Sequence, residues 1–196
     1  MTTDSGDRPP AAARAGRALR RELHAAAGLT VITGGQTGVD TLAAEAALAA
    51  GLPVRLIFPA GLLQEDGPLT PPRRARLSGA VLHELDFPDF RYRTWTCAYL
   101  ADAVILLDPA GGEGCQETAR AARGLGRPLL ELTGGPVSAA AVAAFAARAD
   151  ARVLDIAGCR GSVLDRWDSG ADLRAEIDAV IGGALLHRDR LRSAGP

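Results

Sequence analysis

At 196 residues, with 47% apolar but only 4% aromatic residues, the chain is long enough for one domain with a thin-side-chain core of Ala, Leu, Val and Gly. A chain of this size buries about 70% of its unfolded surface without help from metals or disulfides. Its 22 basic and 23 acidic residues leave a net charge of -1, which argues against an extended nucleic-acid surface but not against one small anionic ligand. Asp4 and Asp7 precede any apolar run and no window reaches the roughly 18 uninterrupted apolar residues of a membrane span, so a soluble, cytoplasmic protein with no membrane contact is expected.

In chain order, Met1 to about Pro10 is polar with a double Pro and predicts a disordered tail, followed by an Ala/Arg/Leu helix from about Ala11 to Ala27 that reads as an appendage. From Leu29 apolar strands alternate with helical segments. The pattern gives a strand at Thr30-Ile32, a helix from about Val39 to Ala50 and a strand at Val54-Phe58. Pro59 to Pro68 is too rich in Pro and Gly to be regular, and such a long loop invites function. A short helical turn near Pro72-Leu77 and a strand at Val81-Leu85 follow. Next come a helix at Phe90-Leu100, a strand at Ala103-Leu107, a loop over Asp108-Gly114 and a helix to about Arg123. Strand Pro128-Leu132, helix Ser138-Ala149, strand Arg152-Ile156 and helix Asp172-Leu186 complete the pattern. The alternation implies a parallel sheet with right-handed crossovers in a layered α/β domain, residues 28-190, with residues 1-27 outside it.

Two glycine clusters carry the chemistry. In Thr30-Val31-Ile32-Thr33-Gly34-Gly35-Gln36-Thr37-Gly38-Val39-Asp40 a strand breaks into glycines and a helix begins. A helix start offers unpaired N–H groups with partial positive charge, so the segment reads as a phosphate or oxyanion cradle, or as a tight turn with no ligand. It lacks both the G-x-G-x-x-G spacing and the Gly-Lys-Ser/Thr of a P-loop. Gly111-Gly112-Glu113-Gly114-Cys115-Gln116-Glu117-Thr118 repeats the pattern after the strand Ala103-Leu107, and both loops fall at carboxyl ends of strands, where open parallel sheets bind ligands. The predicted ligand contacts are Gly34, Gly35, Gln36, Thr37, Gly38, Asp40, Gly111, Gly112, Gly114, Cys115 and Thr118.

Arg93 can clamp a phosphate or carboxylate, or be a solvated surface residue. Asp40 and Glu117 can each be a general base, a sugar-hydroxyl acceptor or a first-turn acid that favours the helix dipole. Glu65 and Asp66 in the Gly/Pro loop are candidate polar contacts or solvated turn residues. Tyr92 and Trp95, three apart, can wall a base-stacking pocket or fill the core. Cys97, Cys115 and Cys159 are odd in number and lack C-x-x-C or Cys/His spacing, so neither a disulfide framework nor a metal site is indicated. His24, His83 and His187 show no ligand spacing.

Gly34-Asp40, Gln64-Glu65-Asp66-Gly67-Pro68, Arg93-Thr94-Trp95, Ala101-Asp102-Ala103 and Leu154-Arg160, taken in order, resemble the putative molybdenum carrier family over about Leu29 to Leu186. That family belongs to a Rossmann-like superfamily with the DprA proteins and the LOG phosphoribohydrolases, which cleave a base from a nucleoside 5′-monophosphate. The resemblance implies a single Rossmann-like domain, helices on both faces of a parallel sheet, a phosphorylated nucleotide- or molybdopterin-like ligand and a homodimer. Molybdenum cofactor would then be cargo, and no cofactor is required by the residues themselves.

In the LOG enzymes an Arg and an Ala-Asp pair precede a P-G-G-x-G-T-x-x-E loop, and Arg93, Ala101-Asp102 and Gly111-Gly112-x-Gly114 stand in that order here. Ala110 replaces the Pro, Cys115 the Thr and Thr118 the last Glu, with Glu117 one place earlier; Ala60 replaces the Lys usual in the carriers. The alternative function that the resemblance implies is an N-glycosidase with Arg93 and Glu117 as catalytic residues.

Overall fold

β-Branched and leucine-rich runs of this chain extend, and the alanine-rich stretches between them coil, because alanine loses no rotamer freedom in a helix whereas Val and Ile do. The computed structural model describes residues 12–26, 28–108, 111–133, 137–164 and 170–193, so the tail expected at residues 1–10 lies outside the described residues. The elements are α1 (Ala12–Ala25), β1 (Thr30–Thr33), α2 (Val39–Ala49), β2 (Val54–Phe58), β3 (Leu63–Gln64), β4 (Gly67–Pro68), α3 (Pro71–Arg76) and β5 (Val81–Glu84). They continue with α4 (Phe90–Leu100), β6 (Ala103–Leu107), α5 (Glu113–Gly124), β7 (Leu129–Leu132), α6 (Ala139–Arg148), β8 (Val153–Gly158), α7 (Gly161–Leu164) and α8 (Gly170–Ser193).

Six strands form one sheet in the order β5-β2-β1-β8-β6-β7, all neighbours parallel. The last strand in sequence, β8, is central: Val31 and Ala103 both pair with Leu154. β1 and β6 are buried along their whole length, as expected for strands covered on both faces. On one face Val31, Leu56, Ile105 and Ile156 pack with α2, α6 and α8; on the other Ile32, Ile57, Val104 and Val153 pack with α1, α4 and α5. The result is a Rossmann-like α/β domain with helices on both faces of a parallel sheet.

Four local differences from the sequence expectation have physical causes. The Gly/Pro loop folds into the antiparallel hairpin β3–β4, closed where the Leu69 N–H donates to the Leu62 carbonyl at 2.9 Å. α1 packs along α4 and is not an appendage: Leu23 is buried, and the Arg20 guanidinium lies 5.6 Å from the Tyr99 ring centroid and 3.3 Å from Asp102. α8 continues past Leu186 to Ser193, anchored by buried His187, whose Nε2 lies 2.7 Å from the Ala151 carbonyl. β8 runs on to Gly158 and is followed by the single turn α7, so a third loop reaches the edge where the two glycine clusters lie. Among the described residues no helix is long and apolar enough to cross a membrane.

Candidate functional site

From β1 the sheet grows outward to β2 and β5, and from β8 outward to β6 and β7. The boundary between those two halves is a topological switch point, where the loops leaving the carboxyl ends of adjacent strands diverge and leave a crevice. A cleft of about 570 Å³ opens there, within the range of small-molecule sites. Its walls come from the loop after β1 (Gln36, Asp40), the start of α4 (Arg91, Arg93), the start of α5 (Gly112 to Thr118) and the loop after β8 (Gly158 to Val163).

The first glycine loop is largely occupied by the protein itself. A Cβ at Gly34 would stand 1.1 Å from Arg93 Nη1, one at Gly35 2.4 Å from the Phe58 ring, and one at Gly38 2.4 Å from the Cys159 carbonyl oxygen. Close packing of side chains and of the β8–α7 loop therefore requires these glycines. The loop amides are also engaged: Gly35 N–H donates to Thr33 Oγ1 (3.1 Å), Gln36 N–H to Asp40 Oδ2 (3.2 Å) and Thr37 N–H to Gln36 Oε1 (3.0 Å). The anion in this cradle is the Asp40 carboxylate. Of this segment Gln36 and Asp40 line the cleft, while Gly34, Gly35, Thr37 and Gly38 support it from behind.

The second loop is open. A Cβ at Gly111, Gly112 or Gly114 would meet nothing within 4 Å. Asp108 Oδ1 accepts from the Gly111 and Gly112 N–H groups at 2.8 and 3.2 Å and so fixes the turn. Beyond them α5 starts with Gly112 at its N-cap and no side-chain cap. The first-turn amides of Glu113, Gly114 and Cys115 thus carry the positive end of α5 into the cleft. Thr118 also lines it, its hydroxyl donating to the Gly114 carbonyl at 3.1 Å.

Glu117 lines the cleft, but its carboxylate is already held. Oε1 accepts from Trp95 Nε1 at 2.6 Å and from Arg91 Nε at 2.8 Å, and Oε2 pairs with Arg120. Trp95 is a core residue, 4% exposed, packed with α1 and α4 side chains, and Tyr92 is likewise buried. Neither forms a stacking wall: Trp95 orients Glu117 through its indole N–H.

Glu65 binds three loops together. It accepts from the Thr37 and Ser162 hydroxyls and from the Ser162 N–H (2.9 Å), while its own N–H donates to Gln36 Oε1 at 2.7 Å. Burial would raise its pKa, yet the Ser162 and Thr37 hydrogen bonds outweigh it and hold the carboxyl below the usual range. Asp66 stands outside the cleft, clamped by both Nη atoms of Arg73 at 2.6 and 2.8 Å.

Beneath the cleft floor lies a buried charge cluster. Arg93 Nη1 donates to Asp40 Oδ2 at 3.0 Å, with side-chain exposures of 11% and 4%. Burial raises the pKa of Asp40, opposed by Arg93. Asp155, on the central strand β8, is 1% exposed and its Oδ1 has no hydrogen-bond partner. Burial, reinforced by the nearby Asp40 charge, pushes its pKa up to about 8. Arg93 is thus a buried ion-pair residue with an edge on the cleft, not a solvated surface arginine.

Leu154-Arg160 carries part of the sequence resemblance, but sequence reasoning gave no site role to Asp155 or to the third arm, Gly158-Cys159-Arg160-Gly161-Ser162. The available signal was a strand running into two glycines, the same pattern as the other two loops, obscured by the acid inside the strand. It also missed that Cys115 and Cys159, far apart in sequence, meet at the cleft with sulfurs 3.7 Å apart.

A model of the circularly permutated YpsA SLOG family matches residues 31–171. The chain belongs to that family, whose wider group includes the LOG and DprA-like folds that the sequence resembles. A solved structure described as a putative molybdenum carrier protein, from Syntrophus aciditrophicus SB, is similar with a TM-score of 0.65 at 22% identity, covering 79% of this chain and 95% of that one. The likeness shows a shared fold. No curated protein matches the chain.

Proposed function

We propose that this member of the circularly permutated YpsA SLOG family binds a phosphorylated small molecule, nucleotide- or molybdopterin-like, in the cleft between the loops after β1, β6 and β8, and acts as a carrier. The observation that carries this reading is the uncapped first turn of α5, lined by glycines with no atom in front of them and opening on a cleft of ligand size. Three arginines in the lining face four carboxylates, so no net positive field draws an anion. A phosphate is instead held by the amides of Glu113, Gly114 and Cys115, whose dipoles need no counter-ion. Arg93 and Arg160 flank it, and Gln36 and Thr118 read polar edges of the rest of the ligand.

The name of the similar Syntrophus protein supports molybdenum cofactor as the cargo class. Cytoplasmic residence and a homodimer belong to the same reading. Hydrolysis of a nucleoside 5′-monophosphate would need a carboxylate free to stabilise an oxocarbenium-like ribose, and Glu117 is committed to Trp95, Arg91 and Arg120. Binding without cleavage is therefore expected. Equilibrium binding of molybdopterin and of nucleoside 5′-monophosphates, with released base measured on the same samples, tests both parts. Saturable binding with intact ligand supports the carrier; no binding at millimolar ligand overturns it, and base release abolished by Glu117→Gln would replace it with the glycosidase.

A further inference from the structure

We propose that Asp108, Cys115 and Cys159 form a binding site for a thiophilic divalent cation of the Zn²⁺ class, with its open coordination position facing the cleft. The three residues come from three parts of the chain: the end of β6, the first turn of α5 and the loop after β8. One ligand atom from each lies within 4.8 Å of the others. The two sulfurs are 3.7 Å apart, and Cys159 Sγ lies 3.3 Å from Asp108 Oδ1. Two thiolates at the usual Zn–S length of about 2.3 Å in a tetrahedral site stand about 3.8 Å from each other, and a sulfur and a carboxylate oxygen about 3.6 Å. The side chains are thus already near the spacing that a tetrahedral ion demands.

The surroundings suit the ion. The Gly111 and Gly112 N–H groups donate to Asp108 Oδ1 and orient its carboxylate, the role that outer hydrogen bonds play around metal ligands. Cys115 sits in the first turn of α5, whose dipole favours the negative charge that a metal-bound thiolate carries. Both cysteines are 2% exposed yet line the cleft, so an ion enters from that side and its fourth position faces the ligand cavity. Three protein ligands with one open place are the arrangement of zinc sites that do more than hold a fold together.

In the metal-free protein the Cys159 thiol donates to Asp108 Oδ1, and the Cys115 sulfur lies in hydrogen-bond contact with it. Binding of M²⁺ forms two metal–sulfur bonds and one metal–oxygen bond and releases both thiol protons to solvent. The site stands whether or not the cleft takes a phosphorylated ligand, since none of its three ligand groups comes from that molecule.

The test uses Co²⁺ on the reduced full-length protein, followed by competition with Zn²⁺. The expected result is one ion per chain, a thiolate-to-cobalt charge-transfer band in the near ultraviolet, release of two protons by calorimetry in buffers of different ionisation enthalpy, and displacement by Zn²⁺. Cys115→Ser and Cys159→Ser should each weaken binding by roughly 100-fold or more and Asp108→Asn by roughly 10- to 100-fold, while Cys97→Ser, which changes a core thiol outside the cleft, retains the band. Thermal melts of each apo variant verify that it is folded. Absence of the band in the folded wild-type protein, or a band that survives Cys115→Ser and Cys159→Ser together, overturns the proposal.

Discussion

Asp155→Asn isolates the cost of the buried charge cluster. Asp155 lies on the central strand, paired in register with Ile32 on one side and Val104 on the other, with no hydrogen-bond partner at Oδ1. Its carboxyl pKa is pushed from 3.8 in the unfolded chain to about 8 in the folded protein, by burial first and by Asp40 second, against the pull of Arg93. The folded state therefore keeps a proton that the unfolded chain gives up. Stability from this group is fully present below about pH 4 and is lost as pH rises toward about 8, to an upper limit of about 6 kcal/mol. Between pH 5 and pH 7.5 the expected loss is about 3 kcal/mol. Asn has the same shape and no proton to lose, so any penalty for its extra N–H groups is constant across this window. Urea unfolding of wild type and variant at each pH gives the difference in stability, which should swing by about 3 kcal/mol in favour of Asn on going from pH 5 to pH 7.5. A difference flat to within about 0.5 kcal/mol would show that Asp155 is ionised and solvated in the folded protein, and would refute the buried cluster.

Arg93→Ala leaves Asp40 buried without its counter-charge and should cost about 3–5 kcal/mol in urea unfolding, whereas adding Asp40→Asn to it should restore a large part of that loss; additive effects would mean that the two do not pair. Gly35→Ala places a Cβ 2.4 Å from the Phe58 ring at a backbone φ of +66°, so a thermal melt should register a loss of about 1–3 kcal/mol or more, and an unchanged melt would contradict the packing described for the first loop. Gly114→Ala should do the opposite: within α5, with nothing in reach of the new methyl, it should stabilise the ligand-free protein by about 0.5–1 kcal/mol.

The sheet was readable because its strands are short apolar runs buried on both faces, such as Ala103-Val104-Ile105-Leu106-Leu107, bounded by polar or glycine residues. Both glycine loops were placed at one edge by the same periodicity. What escaped was everything decided by contact across the chain. Whether a glycine serves a ligand or a neighbour depends on what stands in front of it: Phe58 and Arg93 fill that space at Gly35 and Gly34, and nothing fills it at Gly112 and Gly114. Asp155 falls inside the strand read at Arg152-Ile156, and only the pairing of that strand with β1 and β6 reveals its carboxyl as buried. The meeting of Cys115 with Cys159, and of Trp95 Nε1 with Glu117, follows from how α4, α5 and β8 pack, which no local spacing records.

The central claim, that the first turn of α5 holds a phosphate in this cleft, is tested most directly by thermal stabilisation of wild type and Gly114→Ala with each phosphorylated candidate and its dephosphorylated counterpart. A ligand at about 100 times its Kd should add roughly 2.7 kcal/mol to the wild type. Removing the phosphate, or placing the Gly114→Ala methyl where it would sit, should cut affinity at least tenfold, about 1.4 kcal/mol. Equal stabilisation by the dephosphorylated compound, or equal binding by Gly114→Ala, would contradict it.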